Sequence, residues 1–171
     1  MWLKIKPWIG SIILIPFILY FALNKGKFFA LDFVNLLIHE GGHGIFRIFG
    51  EFIYFAGGTI MQLLIPFLFV VVYYRSRNIY TVQFSALWLG ESMINVSVYA
   101  ADARAKQLPL LGGNKVIHDW WWMLNKIDML EYDIIIGNFF FYCAVLIMIS
   151  ALFIPLVLIK EESKINLDLD I

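Results

Sequence analysis

The chain has 171 residues, of which 61% are hydrophobic and 15% charged, and its 13 basic residues balance 13 acidic ones. Ordinary soluble domains are nearer half apolar and a quarter charged, so this composition favours a membrane protein. A net charge near zero lacks the basic surface that nucleic acid requires, and we expect no nucleic-acid partner. The single cysteine, Cys143, excludes an internal disulfide and a zinc site built on cysteines.

Five long apolar stretches predict an all-α integral membrane protein that crosses the lipid bilayer several times. The predicted spans are about 7–23, 28–49, 59–74, 80–101 and 134–159. We expect Gly57 and Gly58 to form a loop or re-entrant segment before the third span. Lys4 and Lys6 precede the first stretch as in a signal peptide, but no cleavage pattern follows, so we expect that stretch to be retained. The length allows one domain, and we treat residues 1–171 as a single transmembrane domain.

The segment between the fourth and fifth stretches differs in character from the rest of the chain. We predict an interfacial helix near 114–130, which Asn114 could cap after a loop that contains Pro109. The tryptophans Trp120 to Trp122 near its start are typical of the membrane interface. Because four spans precede it, this segment and the N-terminus are expected on the same side of the membrane.

Within the second stretch, His39, Glu40 and His43 form a His-Glu-x-x-His motif. Residues four apart stand on one face of a helix, so both imidazoles can reach one metal ion, and the usual chemistry of this motif favours Zn²⁺. Glu40 can reach a water that the metal activates, so we predict that it acts as the catalytic base. Each ionisable residue in a span costs about 2.5–3.5 kcal/mol, which favours a functional role. The alternative is a polar cluster that bonds neighbouring helices.

Polar residues form a stripe on each of two predicted spans. The stripe of the second span consists of Asp32, Asn35, His39 and His43. The stripe of the fourth span consists of Glu91, Asn95 and Asp102. Polar stripes in lipid face each other or a water-filled cavity, so we predict that these two spans pack together. Three glycines would allow the second span to approach its neighbours closely: Gly41, Gly42 and Gly44.

An open zinc site needs a third protein ligand beside the two histidines. Asp102 ends the fourth span at a depth that suits the motif, and His118 is the only other histidine, so both are candidate ligands and we slightly favour Asp102. Either residue could instead orient a ligand, and Asp119 could hold His118. Glu91 and Asn95 lie at mid-span, where they could orient a ligand or stabilise an oxyanion. If His39, His43, Asp102 and His118 all bound the metal, the closed site would leave no place for an attacking water.

The order of these features resembles the site-2 proteases over about residues 28–105: a His-Glu-x-x-His helix in the membrane, a hairpin, and a helix that brings an aspartate. That family consists of zinc metalloproteases that cleave transmembrane substrates inside the bilayer. The resemblance implies the zinc ligands His39, His43 and Asp102 and the catalytic base Glu40. It also implies that the glycine-rich stretch 56–59 lies near the substrate path, as a loop.

We therefore predict an intramembrane zinc metalloendopeptidase that hydrolyses membrane-embedded or juxtamembrane protein substrates. The alternative is a non-catalytic membrane protein of the same fold, which would bind a metal or a transmembrane partner as a scaffold or escort. An ion transporter is less favoured, because five spans leave no obvious repeated pair of segments.

Overall fold

Every regular element that the structure describes is a helix, so the predicted all-α class is confirmed. The structure is a computed structural model, and it describes residues 5–113 and 116–159. The helices are α1 (Ile9–Leu23), α2 (Ala30–Phe46), α3 (Glu51–Arg75), α4 (Ile79–Ala101), α5 (Asp119–Lys126) and α6 (Asp133–Leu152). Short 3₁₀ turns lie at Lys6–Trp8, Arg47–Phe49 and Leu130–Tyr132. Residues 154–159 are helical again after a turn at Phe153.

Three stretches of the described residues are long and apolar enough to cross a membrane, by length and composition: Lys6–Leu23, Glu51–Arg75 and Leu130–Leu152. Their surfaces carry many exposed apolar side chains, as on Ile12, Val72 and Leu146, which suggests a membrane protein. The prediction of five spans is not confirmed. The motif helix α2 has only 17 residues, and α4 carries a row of polar side chains along its 23 residues.

The two ends of the bundle are defined by α4, whose first turn contains Tyr80 and whose last residue precedes Asp102. At the Tyr80 end, the Tyr80 hydroxyl donates to the main-chain oxygen of Lys6 at 2.6 Å. At the same end, the Ser11 hydroxyl donates to the carbonyl of Leu152 at 2.8 Å. The described start of the chain therefore lies opposite the segment that follows Asp102, and not beside it as the five-span prediction requires.

Helix α2 explains this difference, because it begins and ends near the same end of the bundle. The loop before it brings Gly26 against Val98, one turn from the Asp102 end. The helix after it, α3, begins at the same end, where Phe55 stacks on Trp122 of α5 with ring centroids 4.3 Å apart. Helix α3 then runs antiparallel to α4, as the contact between Phe69 and Trp88 shows further along. Helix α2 thus enters and leaves at the Asp102 end without running the length of the bundle.

Close packing between α2 and α3 depends on glycines in both helices. A Cβ atom on Gly42 would lie 2.2 Å from the carbonyl oxygen of Gly57, so the two backbones touch there. The predicted close approach is confirmed for Gly42, whereas Gly41 and Gly44 face open space. Gly57 and its neighbour Gly58 lie inside α3 and not in the predicted loop, because they serve this helix crossing.

The helix that follows the loop is shorter than the predicted 114–130. It starts at Asp119, and the imidazole Nδ1 of His118 caps it by accepting from the main-chain N–H of Trp121 at 3.2 Å. The chain leaves the helix before Asp128, whose φ of 54° is left-handed. The predicted cap Asn114 lies outside the described residues. The last predicted span is also interrupted, at Phe153, because Pro155 supplies no N–H to continue the helical hydrogen bonds.

Two apolar clusters hold the bundle together. The first joins side chains of α1, α4 and α6 around Met148, which is fully buried. Gly90 makes room for it, since a Cβ there would lie 2.5 Å from the Met148 Cγ. The second cluster joins α3, α4 and α5 around Phe55, Val96 and Leu124, and it fixes α5 beside the motif helix. Such packing, and not a hydrophobic effect between helices, stabilises helix contacts in lipid.

Candidate metal centre

Three side chains from two distant parts of the chain converge beside α3. The Nε2 atoms of His39 and His43 lie 2.9 Å and 3.2 Å from the same oxygen, Oδ2 of Asp119. His39 and Asp119 are buried and His43 is partly buried. One ligand atom from each residue fits within 4.8 Å of the others, which makes this trio the group among the described residues that could hold a metal ion.

The second ring nitrogen of each histidine has its own partner. The Nδ1 of His43 lies 2.8 Å from the main-chain oxygen of Tyr54, which can only accept, so this nitrogen carries the hydrogen. The Nδ1 of His39 lies 3.1 Å from Oε1 of Gln62. The Gln62 amide nitrogen donates to Oδ1 of Asn95 at 2.9 Å, which leaves its oxygen as an acceptor for His39. In its neutral form each histidine therefore presents an unprotonated Nε2.

These contacts fit a cation and are unfavourable without a positive charge. Two nitrogen lone pairs and an ionised carboxylate oxygen are all acceptors, and they would repel one another at the observed separations. Two imidazoles and one carboxylate are a donor set that zinc takes in sites with an open position. Ligand atoms on a tetrahedral zinc are roughly 3.3 Å apart, close to the distances from Asp119 to the two histidines. The residues present thus suit a divalent metal, and nothing in the geometry specifies zinc over other metals.

Asp119 is held in place by its position at the start of α5 and by Tyr99. The Tyr99 hydroxyl donates to Asp119 Oδ2 at 3.2 Å and accepts from the Asp119 main-chain N–H at 3.1 Å. The first residue of a helix is also favourable for a negative charge.

The predicted third ligands, Asp102 and His118, form a separate pair. The Asp102 carboxylate accepts from the main-chain N–H groups of Gln107 and Leu108, both at 3.0 Å, and so shapes the loop. The His118 Nε2 lies 3.5 Å from Asp102 Oδ2, and its Nδ1 caps α5. Burial lowers the pKa of His118, against the opposing effect of the Asp102 charge. The structure therefore brings His39 and His43 together with Asp119 instead of Asp102 or His118.

The two polar stripes do face each other, although α2 packs mainly on α3. The Asn35 amide donates to Glu91 Oε2 at 2.7 Å, and the Asn95 amide donates to Asp32 Oδ1 at 2.7 Å. Asn35 also accepts from the indole of Trp88 at 2.9 Å. Glu91 is thus bound within the stripe and away from the three converging side chains. Asn95 reaches them only through Gln62.

A cavity of about 640 Å³ opens beside the three residues. Glu40 lines this cavity together with His39, His43 and Asp119, and its side chain is exposed there. The remaining wall is mostly apolar, with residues such as Leu36, Ile94 and Val98 and the loop segment 108–111. The predicted base and the candidate metal ligands therefore line one and the same cavity.

Sequence reasoning did not foresee the positions of Asp119 and Gln62. The sequence pattern predicts Asp119 as a partner of His118, because depth within the predicted spans favours residues that end a span as metal ligands. Gln62 is a buried amide within an otherwise apolar stretch, and a polar residue placed there is a signal that could have identified it.

The comparisons with known proteins identify no relative. No protein-family model matches the chain, and neither the curated proteins nor the solved structures contain a match. Function is therefore argued from the site itself.

Proposed function

We propose that this protein is an intramembrane metalloprotease that hydrolyses peptide bonds in membrane-embedded or juxtamembrane segments, with zinc held by His39, His43 and Asp119. The observation that carries this proposal is the convergence of two bare imidazole nitrogens and one carboxylate oxygen on the wall of a cavity that also contains Glu40. The number of protein ligands also matters. Three ligands leave a position open, as hydrolytic zinc sites require.

Zinc in this position would supply Lewis-acid chemistry, because it lowers the pKa of water and polarises a carbonyl group. Glu40 follows His39 directly on α2 and faces the cavity. Its carboxylate would take a proton from the attacking water and pass it to the leaving amine. Tyr99 would hold the Asp119 carboxylate in position. Its hydroxyl donates to Asp119 Oδ2 and accepts from the Asp119 main-chain N–H.

The surroundings of the cavity support a membrane substrate. The wall is largely apolar, which suits side chains that normally lie in lipid. The cavity is beside α2, a helix too short to cross the bundle, and near helices that are apolar enough to span a membrane. An unwound apolar segment could therefore approach the ligand group from the bilayer or from its surface.

The first test is the zinc content of the detergent-purified protein, wild type beside His39→Ala. We expect about one zinc per chain in the wild type and none in the variant. The second test uses phosphatidylcholine liposomes that contain the protein and a panel of apolar peptides, each with a fluorophore and a quencher. Zinc-dependent cleavage that disappears in Glu40→Gln is the expected result.

Two outcomes would change the proposal. A wild-type protein that binds no zinc when zinc is offered would remove its basis. A protein that binds zinc but cleaves none of the peptides would favour the alternative, a non-catalytic scaffold or escort that uses the same metal site.

A further inference from the structure

A chain of hydrogen bonds leads from the start of α2 through α4 and α3 and back to His39. The Asp32 carboxylate accepts from the Asn95 amide nitrogen at 2.7 Å, and the Asn95 oxygen accepts from the Gln62 amide nitrogen at 2.9 Å. The Gln62 oxygen then lies 3.1 Å from Nδ1 of His39. This series of hydrogen bonds thus connects three helices and ends on a candidate metal ligand.

The donor and the acceptor of each hydrogen bond in this series are fixed, and the Asp32 carboxylate determines them because it can only accept. One oxygen of that carboxylate accepts from the main-chain N–H of Phe29, at the cap of α2, and the other accepts from Asn95. Asn95 must therefore turn its nitrogen towards Asp32 and its oxygen towards Gln62. Gln62 in turn can only present its oxygen to His39. The result is that His39 carries a hydrogen on Nδ1, and in its neutral form it keeps Nε2 bare for a metal.

The two histidines are oriented by different means. The main-chain carbonyl of Tyr54 fixes His43, and no side-chain substitution can remove it. His39 depends on the side chain of Gln62, which is 3% exposed and stands in an otherwise apolar part of α3. A buried amide is costly in such a place unless its hydrogen bonds are made. Gln62 makes them to Asn95 and His39.

We infer that Gln62 is a positioning residue that holds His39 as an Nε2 metal ligand, with Asn95 and Asp32 setting the orientation of its amide. This inference rests on the metal site of the proposed function and adds a requirement that the ligand trio alone does not impose. Partners of this kind fix the tautomer and the ring orientation of a metal-binding histidine, and their loss typically weakens metal binding about 10–100-fold.

The test measures metal affinity in the full-length, detergent-purified protein by competition between Zn²⁺ and a chromophoric chelator. Gln62→Met removes the acceptor while keeping a side chain of similar length, and we expect binding about 10–100-fold weaker. Gln62→Glu keeps an oxygen acceptor for His39 but loses the hydrogen bond to the Asn95 oxygen, so we expect it to bind zinc more tightly than Gln62→Met. A role in packing alone would not separate these two variants in this way.

The matched control is Gln83→Met. Gln83 is also a buried amide, 1% exposed, but it bonds Ser11 and the carbonyl of Ala151, far from the trio. We expect wild-type zinc affinity from this variant. An equal loss in Gln83→Met and Gln62→Met would mean that removing any buried amide loosens the bundle, and the inference would fall.

A second readout uses ¹⁵N-histidine spectra of the zinc-loaded protein, which contains only three histidines. Wild type should show slowly exchanging Nδ1–H signals from both His39 and His43. Gln62→Met should lose the signal of His39 alone, because His43 is held by the backbone. Partial unfolding would remove both signals, and retention of both would overturn the inference.

The outcomes also separate this inference from the proposed function. If wild type binds no zinc, the metal site and both ideas fail together. If wild type binds zinc and Gln62→Met binds it equally well, only the role of Gln62 fails. If Gln62→Met does not fold, the histidine spectrum of zinc-loaded Gln62→Glu decides, since loss of the His39 Nδ1–H signal in that variant contradicts the inference.

Discussion

The imidazole of His39 lies against the backbone of Gly58, and a Cβ atom there would be 2.4 Å from Nε2. Gly58→Ala should therefore push the ring out of register with Asp119 and weaken zinc binding at least as much as loss of an orienting partner, about 10–100-fold. Zinc affinity of the purified protein measures this effect. Alanine is the better helix former by about 1 kcal/mol, so helix propensity cannot explain a loss.

Gly44→Ala is the control for this prediction. Gly44 lies on the motif helix, and nothing stands within 4 Å of a Cβ built there. Zinc affinity should stay at the wild-type value. Equal affinities in Gly58→Ala and wild type would show that the packing of His39 on α3 does not position the ligand.

The identity of the third ligand can be decided with two aspartates. Asp119→Asn should weaken zinc affinity by more than the roughly 10–100-fold that is typical when a residue orienting a ligand is lost. The reason is that this substitution removes a charged ligand from the trio. Asp102→Asn should keep zinc, since Asp102 bonds the main chain of its own loop. Metal analysis of both purified variants gives the answer. The reverse result would restore Asp102 as the ligand.

Glu40 should be needed for hydrolysis but not for metal binding. Glu40→Gln removes the proton acceptor and leaves His39, His43 and Asp119 unchanged, so zinc content should match wild type. The cleavage rate in liposomes should fall by about 10²–10⁴-fold, the usual contribution of a general base. Cleavage at the wild-type rate would exclude this role for Glu40.

The path of α2 predicts which loops share a side of the membrane. In a Cys143→Ala background, single cysteines at Lys25, Ile48 and Leu111 should react with a membrane-impermeant maleimide from one side of sealed vesicles. Cysteines at Lys6 and Ser76 should react from the other side. These expectations follow from the contacts of Lys6 with Tyr80 and of Gly26 with Val98. Labelling of Lys25→Cys and Ile48→Cys from opposite sides would contradict the fold, because it requires α2 to cross.

The features that sequence reasoning anticipated are those set by one helix. The spacing of His39 and His43 places them on one face of any helix, and the polar stripe through Asp32 and Asn35 follows from the same periodicity. The sequence also predicts that this stripe faces Asn95, because polar side chains in an apolar environment need partners. These inferences require no knowledge of how the chain turns.

The features that were missed depend on contacts between distant segments. Asp119 reaches the histidines only because the loop after α4 folds back, and the bonds of Asp102 to Gln107 and Leu108 that shape this loop are not visible in a periodicity. Gly58 belongs to a glycine pair that is typical of a turn, and only the packing of His39 shows why it belongs in a helix. The length of the second apolar stretch likewise could not show that α2 returns to the end where it began.

Because α2 begins and ends at the same end of the bundle, a metal bound there would be supplied from one side of the membrane. Both termini of α2 lie at the Asp102 end of the bundle, and so does α5 with its Asp119. The three ligand residues are therefore all accessible from that end of the bundle. In a bilayer, a chelator added to that one aqueous compartment would strip the metal, and the same chelator on the opposite side would leave it bound. The free zinc of one compartment would then govern how many molecules are loaded, whatever its concentration across the membrane.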